Sequence, residues 1–157
     1  MINKKFKETI KLICTRFRGK NIDWAIIGTT NLALQGIKIE PKDLDIVVNK
    51  YSLKMIENLF NNFIVQPIRK QKSVIKDIPD FYELKLKIKS VDVHISGEEK
   101  GSPFLKGMKN KKMIRLENIN VPCLSLKAGM KVYSKMGRKS KVKLIKKFLQ
   151  KHGNKSS

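Results

Sequence analysis

Asp43-Leu44-Asp45-Ile46-Val47-Val48 narrows what this chain can become more than any other stretch. Its end is a continuous apolar run of the kind buried in a sheet, yet two aspartates open it with one leucine between them. Side chains alternate along a strand, so residues two apart leave the same face roughly 6–7 Å from each other. At an effective dielectric of about 20, like charges at that distance repel by roughly 2.5 kcal/mol. Such a pair is a poor choice for stability unless a cation sits between the carboxylates, and a divalent metal is the simplest one. The competing reading is two solvated aspartates at a strand terminus.

What precedes the pair fits the same scheme. Asp23-Trp24-Ala25-Ile26-Ile27 has the composition of a short buried strand, Gly28 ends it, and Thr30 to Gln35 favours helix before Gly36 stops it. The Gly28-Thr29 turn therefore joins a strand's end to a helix's beginning, where open backbone N–H groups and the positive end of the helix dipole can hold a phosphate. Alone, these two residues make only a turn and an N-cap.

Downstream, Tyr82, Leu84, Leu86 and Ile88 share one face of a half-exposed strand, with Glu83, Lys85, Lys87 and Lys89 on the other. A turn at Lys89-Ser90 returns the chain as Val91-Asp92-Val93-His94-Ile95. Asp92 is then a third carboxylate in an apolar strand, placed to complete a cation cage. His94 shares its face and could stand near the cage, though a single strand histidine is ordinarily a packed or hydrogen-bonded core residue.

The remaining elements frame these strands. Ile2, Phe6, Ile10, Ile13 and Phe17 form the stripe of an amphipathic first helix. Ser52 is placed to cap a helix running to Phe63, and residues 64–80 are expected to hold a short strand and a loop. The segment 97–112, with its glycines and lysines, is expected to be a mobile basic loop that touches phosphates. Residues 113–116 and 119–121 suggest short edge strands. Ser125 caps a helix from Leu126 to about Met136, and a second helix follows Gly137 from Ser140 to His152. The tail from Gly153 to Ser157 is expected to fray. A chain of 157 residues is one domain by size: a catalytic core at about 20–96, the basic loop, and C-terminal helices at about 125–152.

Composition sets the setting. Cys14 and Cys123 have neither paired spacing nor a neighbouring histidine, which excludes a zinc motif and fits a reduced, cytoplasmic compartment. No apolar run approaches a membrane span. The net charge is +22, with 35 Lys and Arg against 13 Asp and Glu. An A-rich genome would raise glutamate along with lysine, so the imbalance asks for an anionic partner, nucleic acid above all.

Taken in order, Ile27-Gly28-Thr29, then Asp43-Leu44-Asp45-Ile46, then Val91-Asp92-Val93 resembles the nucleotidyltransferase superfamily that shares the DNA polymerase β-like fold. The resemblance implies an α/β (α+β) mixed sheet flanked by helices, with a basic C-terminal helical region. It implies Asp43, Asp45 and Asp92 as catalytic ligands of Mg²⁺, two ions in all. It also implies Gly28 and Thr29 on the phosphates of an NTP such as ATP, and pyrophosphate as the leaving group. Val121-Pro122, Lys131 and Arg138-Lys139 match the family's C-terminal outline, making Lys131 a candidate phosphate contact. Ser140-Lys141-Val142-Lys143 lacks the aspartates usual there, and Thr29 replaces the commoner Ser or Gly. The implied activity is transfer of an NMP to a hydroxyl acceptor, with RNA such as a tRNA end favoured by the charge. Nucleotidylation of a protein or small molecule, or a non-catalytic RNA- or partner-binding module, are the alternatives; some minimal relatives are toxin–antitoxin components.

Overall fold

The computed structural model describes residues 2–152, and the tail from Gly153 to Ser157 lies outside the described residues. Helix α1 (Lys4–Phe17) forms along the expected stripe and buries Phe6, Ile10, Ile13 and Phe17. Asn3 caps it, its side-chain oxygen accepting from the Phe6 N–H at 3.0 Å. The strands are β1 (Trp24–Ile27), β2 (Leu44–Asn49), β3 (Ile64–Gln71), β4 (Phe81–Ile88), β5 (Val91–Glu98), β6 (Lys112–Leu116) and β7 (Ile119–Cys123). They make one seven-stranded sheet in the order β3-β4-β5-β2-β1-β7-β6. Pairing is mixed: β2 runs antiparallel to β1 and parallel to β5, and β7 runs parallel to β1.

The sheet separates two cores because its central strands are apolar on both faces. One face carries Trp24, Ile26, Ile46, Val48, Val93 and Ile95 against α1 and against α3 (Leu53–Leu59). The alternate residues, Ala25, Ile27 and Val47, meet Met108, Leu124, Ala128 and Val132 on the other. There the cover is α4 (Pro103–Gly107) and α5 (Leu126–Lys135). A third cluster joins Leu32 of α2 (Gly28–Leu34) to Tyr133 and to Ile145 and Leu149 of α6 (Lys139–His152). Cys14 and Cys123 are free and belong to the first core. Burial pushes their thiols up to about 11 and about 12.

Four local expectations are corrected. The helix expected from Ser52 to Phe63 is broken into a 3-10 turn at Lys50–Ser52, α3, and a second 3-10 turn at Asn61–Phe63. Ser52 makes no capping bond; Asn49 accepts from the Tyr51 N–H at 3.0 Å instead. Strand β3 is eight residues long, with Pro67 tolerated because β3 lies at the sheet edge and shifts register on either side of Gln66. The basic loop 97–112 is largely structured: Gly97 and Glu98 finish β5, and α4 and a 3-10 turn at Met108–Asn110 follow. Ser102 caps α4 by accepting from the Phe104 N–H at 3.1 Å, and it donates at 2.7 Å to buried Glu98. Finally β7 is internal, so on that side only β6 is an edge.

Candidate active site

The site forms where β1 ends and β2 and β5 begin. Because β1 and β2 are antiparallel, Ile27 pairs with Asp45. Because β2 and β5 are parallel, Asp45 pairs with His94. Alternation puts Asp45 on the face of Val47, away from α1 and α3, and puts His94 on that face too. Asp43 stands one residue before the strand rather than inside it, yet one ligand atom from each of Asp43, Asp45 and His94 falls within 4.8 Å of the others. Nδ1 of His94 is 3.5 Å from Oδ1 of Asp45.

The electrostatics are those of a site short of positive charge. Burial raises the Asp45 carboxyl to about 6; Asp43 adds to the rise, and His94 and Arg138 oppose it. Two carboxylates and an imidazole so arranged, with one carboxylate reluctant to ionise, fit a divalent cation in donor chemistry and spacing. Asp92 is placed on the same face by alternation, but it is not one of the three clustered residues. Its exposed carboxylate lies 3.6 Å from Lys87.

Over the carboxylates stands the first turn of α2. Gly28 has φ +74°, a left-handed conformation that favours glycine, and a Cβ there would lie 2.6 Å from Oδ2 of Asp45. The turn is bound in place by Thr30, whose hydroxyl donates to the Asp43 carbonyl at 2.7 Å. Asn31 and Gln35 each donate to the Leu124 carbonyl at 2.8 Å. Ile27 offers no side-chain cap to this helix. Thr29 lies half-buried in its first turn.

With this geometry in view, residues 9–148 match the family model described as aminoglycoside-2''-adenylyltransferase. The chain belongs to that family. The chain is therefore a nucleotidyltransferase enzyme. Its fold is also that of solved relatives. A Thermotoga maritima protein assigned as a nucleotidyltransferase superposes with a TM-score of 0.74 at 24% identity, over 96% of each chain. The lincosamide antibiotic adenylyltransferase LnuA, solved with lincomycin bound, gives 0.53 at 12% identity, over 92% of this chain and 98% of that one. Among curated proteins none matches.

Three residues of this nucleotidyltransferase reach the site from elements whose role the sequence left open. His94, for which the sequence left open either a place near the cage or core packing, stands beside Asp45, about one-third exposed. Tyr133 of α5 is buried against Leu32 of α2 with its hydroxyl near the Gly28 backbone, and burial holds the phenol above its ordinary range. Arg138 follows Gly137, whose φ of +72° turns the chain between α5 and α6, and its charge reaches Asp45. Spacing signals none of these approaches, because each depends on packing between distant segments. Lys131 is exposed on α5 two residues from Tyr133, hence on the opposite side of the helix. It lines a groove of about 920 Å³ between α4 and α5. Among the described residues no helix is long and apolar enough to cross a membrane.

Proposed function

We propose that this enzyme transfers a nucleoside monophosphate, AMP in keeping with its family, from an NTP to a hydroxyl group of an acceptor. The observation that carries this reading is the convergence of Asp43, Asp45 and His94 beneath a glycine that can approach Asp45 only because it has no side chain. Asp43 and Asp45 would hold Mg²⁺, and Asp92, held only by an exposed ion pair with Lys87, would turn toward it as the third carboxylate. When bound, the metal lowers the pKa of the attacking hydroxyl and neutralises charge on the phosphates. The acceptor oxygen bonds to the α-phosphorus, the α–β phosphoanhydride bond breaks, and pyrophosphate leaves with its electron pair. Asp92 takes the acceptor proton.

Gly28 and Thr29 are assigned to the phosphates. The left-handed Gly28 lets a phosphate approach the backbone of the turn closely. For the acceptor, RNA is favoured by the net charge of +22, which suits a polyanion. A small hydroxylated molecule is the second reading, favoured by what the family and LnuA are named for.

The test is to incubate the protein with α-labelled ATP, Mg²⁺ and either total RNA or lincosamide and aminoglycoside antibiotics, beside Asp43→Asn and Asp45→Asn. Label on RNA that both variants abolish is the expected result. Label on an antibiotic alone keeps the chemistry and removes RNA; no label on any acceptor, including those of a cell extract, removes the reading.

A further inference from the structure

The groove between α4 and α5 lies outside the carboxylate site and is lined by Lys106, Lys127, Lys131 and Lys135, with Lys111 and Lys112 at one end and no Asp or Glu in its walls. We propose that this groove binds the phosphodiester backbone of single-stranded RNA. The proposal rests on the transfer reading above for its acceptor, but not for the binding itself.

Two observations support it. Lys127, Lys131 and Lys135 recur every four residues, so they form a single row on α5. Like charges at that spacing destabilise a helix, and no acid in the groove walls offsets them. A row of bound phosphates would. The row also has the wrong shape for a free triphosphate. At about 1.5 Å per residue it extends roughly 12 Å along the helix, which suits a chain of separated charges better than one compact headgroup.

The groove's chemistry also fixes what kind of RNA binding to expect. Its apolar lining is Pro103, Ala128 and Val132, with no aromatic ring on which a base could stack. Lys111 is committed to Asp23 and to the Trp24 carbonyl. Binding should therefore be tolerant of sequence and steeply dependent on salt. Four phosphates neutralised by Lys106, Lys127, Lys131 and Lys135 give a slope of log K against log salt of roughly −3.

Fluorescence anisotropy with a labelled single-stranded RNA of mixed sequence tests this across a KCl series, using the full chain and a Lys127→Glu/Lys135→Glu variant. The expected result is a loss of at least about tenfold in RNA affinity and a shallower salt slope in the variant, with its melting temperature and its affinity for Mg·ATP unchanged. Asp43→Asn should bind RNA as the parent does. Unchanged RNA affinity in the double variant overturns the proposal. So does a parallel loss of Mg·ATP affinity, which would give the groove to the nucleotide, or polyglutamate of equal charge binding as tightly as RNA, which would give it to an acidic protein. RNA binding that needs these lysines, without label transfer to RNA, upholds the groove and removes only RNA as the acceptor.

Discussion

A Cβ placed on Gly28 would sit 2.6 Å from Oδ2 of Asp45, well inside contact distance. Gly28→Ala must therefore move either the α2 turn or the carboxylate, in addition to placing an L-residue at φ +74°. The backbone term alone costs about 1–2 kcal/mol, and displacing a reacting group by about 1 Å can cost 10²-fold in rate. Denaturant melts and steady-state kinetics check both, and a Gly28→Ala protein with parental turnover would sink the arrangement described here.

Asp45 is expected to destabilise the metal-free protein at neutral pH. Its folded carboxyl sits at about 6, above its ordinary 3.8, so the folded state binds the proton more tightly than the unfolded chain does. That penalty is full above about pH 6 and is relieved as pH falls toward about 4. With the side chain about one-third exposed, the penalty is on the order of 1–2 kcal/mol. Asp45→Asn should then melt at a higher temperature than the parent at pH 7 without metal, the gap closing near pH 4. Saturating Mg²⁺ should reverse the order, since only the parent keeps the full carboxylate pair. Melting curves that show no gap at pH 7 would contradict this.

Thr30 is the polar link between the α2 turn and the loop that carries Asp43. Thr30→Val keeps the shape and removes the donor to the Asp43 carbonyl. Loss of that bond should cost about 1–2 kcal/mol and lower kcat through a looser Asp43. If stability falls with no change in kcat or in metal affinity, the link is structural only.

How far the sequence foretold the site depends on the range of the interaction. Gly28, Asp43 and Asp45 were legible because their significance lies in local spacing: a glycine at a strand end, and alternation along a strand. The central strands were legible for the same reason, each carrying an apolar pattern bounded by a turn. Segment 97–112 was not, because α4 has too few residues to show a helical period, and the bond from its cap Ser102 to Glu98 at the end of β5 is a packing contact. Strand β3 was obscured by Pro67 and by register shifts that interrupt its alternation. His94 and Arg138 were read in their own segments, but their closeness to Asp45 is a product of strand order and of the α5–α6 turn, which no local pattern encodes.

Asp92 and Lys87 supply a test of the third carboxylate. Their side chains are 54% and 56% exposed at 3.6 Å, a pair worth about 0–1 kcal/mol, so releasing Asp92 toward a metal costs little. Lys87→Met should leave stability within about 0.5 kcal/mol of the parent and leave turnover intact. Asp92→Asn should lower kcat by roughly 10²–10⁴ while Mg·ATP still binds. Parental kcat in Asp92→Asn would exclude it as the proton acceptor.

His94 stands 3.5 Å from Asp45 and opposes the rise that burial and Asp43 impose on its carboxyl. His94→Phe removes that opposition and puts an apolar ring beside Asp45. The carboxyl of Asp45 should then titrate still higher, and Mn²⁺ affinity at pH 6 should fall by more than it does at pH 8, because the metal competes with a proton that is bound more tightly. Carbon-13 titration of the aspartates reads the first effect, and Mn²⁺ titration at the two pH values reads the second. Nitrogen coupling in the electron-spin-echo spectrum of bound Mn²⁺ would show the imidazole as a ligand, as the 4.8 Å cluster permits. Absence of that coupling, with the titration shift present, would leave His94 a positioning residue acting through Asp45; absence of both would exclude it from the site's chemistry.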